Sequence, residues 1–571
     1  MKNKIQFKKD MHQLMRALGY LKKYKLKIVV LFATIAITMM INIIQPMVMG
    51  KIIEDITYKS FDILKGSLII LILLSIAGCV VSYGKRYLTE LIRNYFAMDL
   101  KIEMHKKILN FSMGVFDSTK VGEFLSRMDN DVGRVVYTIT GQLLNFTVTL
   151  VRMLVLLTII IRINWRLSMV TIAMFPILFY TFRAFGRTLR KKSREIALIN
   201  DEYYTVLQQS LNEVKYIKSL GLKEESTGSF KRVITTLKSK QMDITSLSIL
   251  SNNLLMFTSS LNDVLIIAIG IQFVIGGSLS VQYLFAFSTY AADFSIQIGS
   301  LTSINSDLQQ LAVSLERIFK IIDNDGFEAE IFGNQEIKDE IRDITFEDVD
   351  FSYDKDRKIL KDLSLNIPGR GLTVITGKNG CGKSTILNII SGLYKVDDGK
   401  VIIGEKNIED ISEGSLRKNI YLIHQQNYLF NRSIMENFRM VNSDVTQAEV
   451  EAACARVDMD NYIKSLDQGY DTIINENVSN LSGGQRQRLV LAMCIVKDTK
   501  IVLLDEVTSA LDRDSRSIIE KVILELSERK GVIAISHDDE IIERANNIVY
   551  FRDDGIVEVS HNGQKNYSSA Y

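Results

Sequence analysis

Apolar residues fill long runs over roughly the first 320 positions, then give way to short apolar runs separated by polar turns. A bilayer core of roughly 30 Å takes about 20 apolar residues per helix. Six stretches reach that length, at about 27–50, 64–84, 138–163, 165–185, 247–276 and 279–303. Ser and Asn interrupt the last two, the pattern of helices that face lipid on one side and a polar cavity on the other. Ahead of the first stretch, Phe7, Met11, Leu14, Met15, Leu18 and Leu21 recur at helical spacing between lysines. That predicts an amphipathic helix within residues 1–26, lying on the membrane surface or packed on the protein itself. Pro46 and Pro176 fall inside two of the stretches, where a missing backbone donor bends a helix.

Charge orients these elements. The net charge is only +3, which points away from a nucleic-acid partner. Lys and Arg crowd the N-terminal segment, the segment after the second stretch (Lys85, Arg86, Arg93, Lys101) and the segment after the fourth (Arg187, Lys191, Lys192, Arg194). By the positive-inside bias, both termini then lie in the cytoplasm of a multi-pass protein of the cytoplasmic membrane. The two long basic segments keep a helical apolar period, so they read as helices continuing beyond the membrane. No short apolar region with a cleavage site follows the basic N-terminus, so no removable signal peptide is expected. Cys79, Cys381, Cys454 and Cys494 fit no metal spacing and read as reduced thiols.

The last part of the chain holds the chemistry. Gly377, Lys378, Asn379, Gly380, Cys381, Gly382, Lys383, Ser384 and Thr385 form a G-x-x-x-x-G-K-[ST] phosphate loop. The buried run Leu372–Val374–Ile375 leads into it and Ile386–Leu387–Ile389–Ile390 follows, the strand–loop–helix context the motif needs. Its backbone N–H groups can cradle a polyphosphate, Lys383 can reach the β- and γ-phosphates, and Ser384 can hold Mg2+. ATP and Mg2+ are the expected cofactors. Ile501–Leu504 is an apolar strand ending in Asp505 and Glu506. Asp505 can bind magnesium through water, and Glu506 can polarise an attacking water as general base. Gln425, after Tyr421–Ile423, can reach the magnesium or the water, and His537, after Val532–Ile535, can contact the γ-phosphate. Tyr353, at the end of an alternating strand, is placed to stack on adenine.

Together with Leu481–Gln485, which reads Leu-Ser-Gly-Gly-Gln, these residues resemble an ATP-binding cassette half-transporter of the exporter type. The resemblance covers nearly the whole chain. It implies an all-α transmembrane domain of six helices followed by an α/β P-loop ATPase: an N-terminal elbow at 1–26, a membrane domain at 27–320, a linker at 321–343 and a nucleotide-binding domain at 344–571. In such proteins Ser482, Gly483, Gly484 and Gln485 complete the ATP site of a second cassette. One cassette per chain therefore implies a dimer, of two copies of this chain or with a different partner. Ser509–Asp512 resembles the loop that crosses between cassettes. Phe116–Asp117 with Gly122–Glu123 and Ser126–Arg127 resembles the first coupling region, and Glu213 before Val214 and Ile217 the second. The chain departs from the family pattern at Asn477–Val478 after Glu476, at His424, and at Asp538–Asp539. Since the first stretch begins near residue 27, no leader-cutting peptidase domain is expected.

Away from their ends, the apolar stretches hold three charges: Arg152, Asp263 and Asp293. Counting from the outer turns puts them about 15–20 Å deep, where a charge pairs or faces a cavity. Arg152 is expected to pair with one aspartate. The other is then open to mark a cargo path for a cationic or amphipathic cargo such as a peptide, with Asn145, Asn262, Gln272 and Gln297 adding polar capacity. The expected function is ATP-driven export by a dimer with alternating access. The alternatives are a lipid flippase, a siderophore importer on the same fold, and an ATP-gated membrane protein that transports nothing.

Overall fold

A computed structural model describes residues 2–57, 61–300, 304–354, 357–425, 427–474, 481–508, 511–551 and 557–561. The chain divides into two compact units: Met1–Leu109 with Val121–Asp325, and Asn110–Lys120 with Gly326–Tyr571.

The first unit is helical: α1 (Lys2–Leu21), α2 (Lys25–Thr57), α3 (Phe61–Leu109), and, after α4 (Met113–Ser118) of the second unit, α5 (Val121–Ser126), α6 (Val132–Tyr137), α7 (Leu144–Ile163), α8 (Trp165–Asn212), α9 (Val214–Ser219), α10 (Lys223–Ile275), α11 (Val281–Ser300) and α12 (Ile304–Ile322). At about 1.5 Å per residue α3, α8 and α10 are each on the order of 70–80 Å long, more than twice a bilayer core. Among the described residues, Asp10–Ile56, Leu64–Leu109, Val121–Ile163 and Lys223–Ile275 are long and apolar enough to cross a membrane. The other two expected stretches, 165–185 and 279–303, fall on α8 and α11, outside these four; residues 301–303 lie outside the described residues.

Pro46 sits inside α2, and two carbonyls flanking it accept bonds from outside the helix. The Tyr290 hydroxyl donates to the Ile43 carbonyl, and Gln282 Nε2 donates to the Met47 carbonyl at 3.3 Å. Both donors come from α11, so they tie α2 to α11 on either side of the proline. Near its end α1 packs on the protein. Ala17 is fully buried, Tyr20 donates to Glu103 Oε2 at 2.6 Å, and Arg16 makes a two-pronged bond to Asp323 at 2.6 and 2.7 Å. Met11 and Met15 of the same helix stay exposed.

The second unit is built on two sheets. Its strands are β1 (Asp343–Asp354), β2 (Arg357–Pro368), β3 (Gly371–Gly377), β4 (Asp398–Ile403), β5 (Lys406–Asn407), β6 (Ile420–Ile423), β7 (Ile501–Asp505), β8 (Gly531–Ile535), β9 (Asn547–Phe551) and β10 (Val557–His561). The antiparallel sheet runs β2-β1-β4-β5, and the larger sheet runs β10-β9-β3-β8-β7-β6, parallel except for β10. The helices are α13 (Lys383–Ile390), α14 (Glu413–Asn419), α15 (Ile434–Val441), α16 (Gln447–Arg456), α17 (Asp460–Lys464), α18 (Gly483–Lys497), α19 (Arg513–Ser527) and α20 (Asp539–Arg544).

Why the central strands read as unbroken apolar runs is visible in their alternation. On β7 and β8, Val502, Leu504, Val532 and Ala534 enter one core, while Ile501, Leu503, Ile533 and Ile535 enter the other. A sheet covered on both faces needs apolar side chains at every position. Residues 110–112 pair with the start of the segment leading to β1. Ser112 N–H donates to the Glu328 carbonyl and Glu330 N–H to the Asn110 carbonyl, both at 2.9 Å, and Phe111 stacks on Phe327 with ring centroids 5.0 Å apart.

Candidate active site

In the parallel sheet the adjacent strands β3, β8, β7 and β6 all end on one edge. The phosphate loop follows β3, His537 follows β8, Asp505 and Glu506 end β7, and Gln425 follows β6. Residues scattered over 377–537 are therefore brought to one line of strand ends, where open α/β sheets bind ligands.

The loop geometry depends on two glycines. Gly377 has φ 144°, and a Cβ there would lie 2.4 Å from the Phe551 carbonyl oxygen. Gly382 has φ 101° and is the N-cap of α13, where a Cβ would meet Leu360 at 2.9 Å. Only glycine lets the backbone close so tightly and point its N–H groups at a phosphate over a helix N-terminus. Lys383 is buried, and its Nζ donates to the carbonyls of Gly377 at 2.7 Å and Lys378 at 2.9 Å, which arches the loop over its own ammonium. Lys378, Asn379 and Gly380 are exposed along the arch, Cys381 is half-buried, and Thr385 is buried.

Ser384 Oγ donates to Asp505 Oδ1 at 3.0 Å, and Gln425 Nε2 donates to Glu506 Oε2 at 2.8 Å. Burial pushes the Asp505 carboxyl up; Ser384 opposes this and the charge of Glu506 adds to it. Glu506 has φ +47°, a left-handed conformation rare outside glycine, Asn and Asp, and its N–H donates to the Ile535 carbonyl at 3.2 Å. Strain of this kind persists where the surroundings over-determine it, as at active sites. His537 is exposed on the same edge, and Asp538 caps α20 by accepting from Glu540 N–H. His424 lies beside Asp505 and opposes the upward shift of its carboxyl.

Tyr353 stands half-exposed at the end of β1. Its hydroxyl is 3.1 Å from Thr385 Oγ1, and its ring meets Tyr394 edge-on at 5.0 Å. Tyr394 in turn donates to Asp117 Oδ2 of α4 at 2.6 Å. Tyr394 carries no motif that a sequence reading could have singled out.

Ser482, Gly483, Gly484 and Gln485 open α18. Ser482 Oγ accepts from Gln485 N–H, and Gln485 Oε1 accepts from Ser482 N–H, a closed capping box. Among the described residues no hydrogen bond or ion pair joins these four to residues 377–385. Glu476, Asn477, Val478, Ser509 and Ala510 lie outside the described residues.

Within the helical unit, Arg152 pairs with Asp293, with Nη2 and Nε at 2.6 and 2.9 Å from Oδ2. Gln297 Nε2 donates to Asp293 Oδ1 at 3.0 Å, and Thr149 Oγ1 approaches Gln297 Oε1 at 3.5 Å. The ion pair borders a cavity of about 440 Å3, also lined by Asn42, Gln45, Thr289 and Tyr290. Asp263 is not part of this network. Its Oδ1 is buried without a hydrogen-bond partner, as are both amide atoms of Asn262. Asn145 and Gln272 are exposed.

Residues 28–297 match the ABC transporter transmembrane region and residues 360–509 match the ABC transporter family, together most of the chain. The chain belongs to the ABC transporters. It is a half-transporter of the exporter type, a multi-pass membrane protein that binds ATP and couples its hydrolysis to transport. It is 27% identical to a Bacillus subtilis protein described as a proposed multidrug export ATP-binding/permease protein, over 97% of each chain. It is 28% identical to the ATP-dependent lipid A-core flippase of Syntrophus aciditrophicus, over 86% of this chain and 81% of that one. A proposed multidrug export ATP-binding/permease protein of Staphylococcus aureus is 28% identical over 84% and 83%. In this transporter, Lys383, Ser384, Asp505 and Glu506 all lie within the matched ABC transporter region, residues 360–509.

Proposed function

We propose that this transporter exports a cationic amphipathic or peptide-like cargo, as a dimer of two copies with six membrane helices each and both termini in the cytoplasm. The observation that carries the cargo class is the unequal pairing of three charges. Arg152 is paired with Asp293, and Asp263 is left over as a carboxyl without a cationic partner among the described residues of its span. Two relatives named for multidrug export point the same way.

At the ATPase edge, Tyr353 stacks on adenine and the loop N–H groups with Lys383 hold the phosphates. Ser384 and Asp505 offer two hard oxygen donors 3.0 Å apart, a set that fits Mg2+, which keeps several waters and takes one or two carboxylates. Bound there, the ion would offset charge on the phosphate oxygens. Glu506, oriented by Gln425, takes a proton from the attacking water, and His537 steadies the γ-phosphate. Ser482–Gln485, at the N-terminus of α18, is an anion site for the phosphates held by a second copy. ATP then draws two cassettes together, α4 and the Glu213 region carry the movement to the membrane helices, and hydrolysis releases it.

The test is transport in inside-out vesicles with a lipophilic cation such as tetraphenylphosphonium. ATP-dependent uptake that Asp263→Asn reduces at least severalfold supports the reading. Uptake unchanged by Asp263→Asn removes the charge argument. Movement of a labelled lipid, with no movement of the cation, makes the protein a flippase. ATP-driven movement in the opposite direction makes it an importer.

A further inference from the structure

A second cavity, of about 690 Å3, lies at the junction of α1 and α2 against α3 and α7. It shares no lining residue with the cavity at Arg152. Its floor is packed: Leu31 and Ile92 are buried against Ile35, Leu88 and Leu144. Val29 and Phe32 of α2 line it and are 64% and 49% exposed, so the cavity is open on their side.

The walls carry three threonines, and each hydroxyl is already used by its own helix. Thr89 donates to the Lys85 carbonyl at 2.8 Å, Thr140 to Val136 at 2.7 Å and Thr147 to Leu143 at 3.0 Å. With their hydroxyls engaged, these residues offer an occupant little but apolar contact. One wall is the π-helical turn Thr138–Leu143, a wide turn of the kind that collects at functional sites. Water has too few polar partners to fill such a space.

The rim is different. Lys22 and Lys25 border the cavity. Their neighbours are occupied: Lys23 pairs with Asp99 at 3.1 Å, and Lys27 sits 3.9 Å above the Tyr95 ring. Among the described residues, Lys22 and Lys25 have no acidic partner. An apolar chamber under two unpaired ammonium groups, at the membrane surface, is complementary to an amphiphile with a negative head.

We propose that this cavity holds an acyl chain of an anionic phospholipid whose phosphate rests on Lys22 and Lys25. Such a lipid would fill the space between α1 and α2 and tie the two helices together.

The experiment uses the full-length protein in mixed micelles of phosphatidylglycerol and phosphatidylcholine at equal amounts, with retained lipid read by native mass spectrometry. The wild type is expected to retain one phosphatidylglycerol per chain in preference to phosphatidylcholine. Lys22→Gln with Lys25→Gln should remove that preference, by about fivefold for each lysine. Val29→Trp, at an exposed position that leaves the packed floor intact, should block the mouth and lower retention of both lipids. ATP hydrolysis in detergent reports that each variant is folded. Equal retention of the two lipids by wild type overturns the proposal, as does a preference that survives loss of both lysines, or retention indifferent to Val29→Trp. Disulfide cross-linking of two copies through Val29→Cys would show that a second chain covers the cavity, and also overturns it.

Discussion

The Tyr394 hydroxyl donates to Asp117 Oδ2 at 2.6 Å, and the two residues are 277 positions apart. The same ring meets Tyr353 edge-on at 5.0 Å. The aromatic group proposed to hold adenine and the bond that holds α4 are thus one side chain apart. Burial, and then the bond to Asp117, pushes the Tyr394 phenol well up, so it stays a neutral donor throughout the physiological range. Tyr394→Phe keeps the ring contact and loses the bond. With Asp117 exposed, the loss should be on the order of 1 kcal/mol. Hydrogen exchange at residues 112–119 should quicken severalfold while Tyr353 stays in place. Unchanged exchange there would mean the backbone pairing of residues 110–112 holds the segment alone.

Glu506, proposed as the base, accepts a bond from Gln425 and sits on a strained left-handed backbone. Glu506→Gln should lower ATP turnover by about 100-fold or more. Nucleotide affinity should change little, because Lys383 and the loop N–H groups remain. Phosphate release and equilibrium nucleotide binding, measured on one preparation, separate the two effects. Equal turnover in wild type and variant would move the base elsewhere.

The Arg152–Asp293 pair makes an asymmetric prediction. Asp293→Asn leaves the Arg152 charge inside the helical unit without its partner and should destabilise the protein by on the order of 3 kcal/mol. Removing both charges, with Arg152→Met added, should recover most of that loss. Thermal unfolding of the two variants in detergent measures the difference. If the double variant is no more stable than Asp293→Asn, the pair is not the source of the effect.

Glu520 of α19 is buried beside Asp538 and Glu540. Burial and then these two like charges raise its carboxyl from 4.5 to about 7. A raised folded-state value means the folded chain binds the proton more tightly. The stabilisation is complete below about pH 4.5 and is lost as pH climbs through about 7. Glu520→Gln never ionises, so it should be more stable than wild type at pH 8, by at most about 3 kcal/mol, and nearly equal to it at about pH 4. Melting curves of the two proteins across this range test the crossover.

The site was legible where its chemistry is local. Residues 377–385 are proposed to hold a phosphate through consecutive backbone groups, so the spacing itself marks the candidate site. Asp505 and Glu506 were legible because an apolar strand buried on both faces has to end where its carboxylates begin. The helical membrane part followed by an α/β ATPase was readable for the same reason, since run length and period are properties of neighbouring residues. Reading the apolar runs gave six spans, while four described segments meet the length and apolarity of a crossing.

What the sequence determined by itself was the inventory: a phosphate loop, a paired acid at a strand end, long apolar helices, and one cation with two anions inside them. Tertiary structure alone decided the partners. Depth along the helices put Asp263 and Asp293 equally within reach of Arg152; the way α7 meets α11, which sets the direction of each side chain, chose Asp293. Residues 110–120 lie between two membrane-unit segments of the chain yet join the ATP-binding unit, through the Phe111–Phe327 stack and the bond from Tyr394 to Asp117. Contacts between residues hundreds of positions apart leave no period or spacing in the chain, because only packing brings them together.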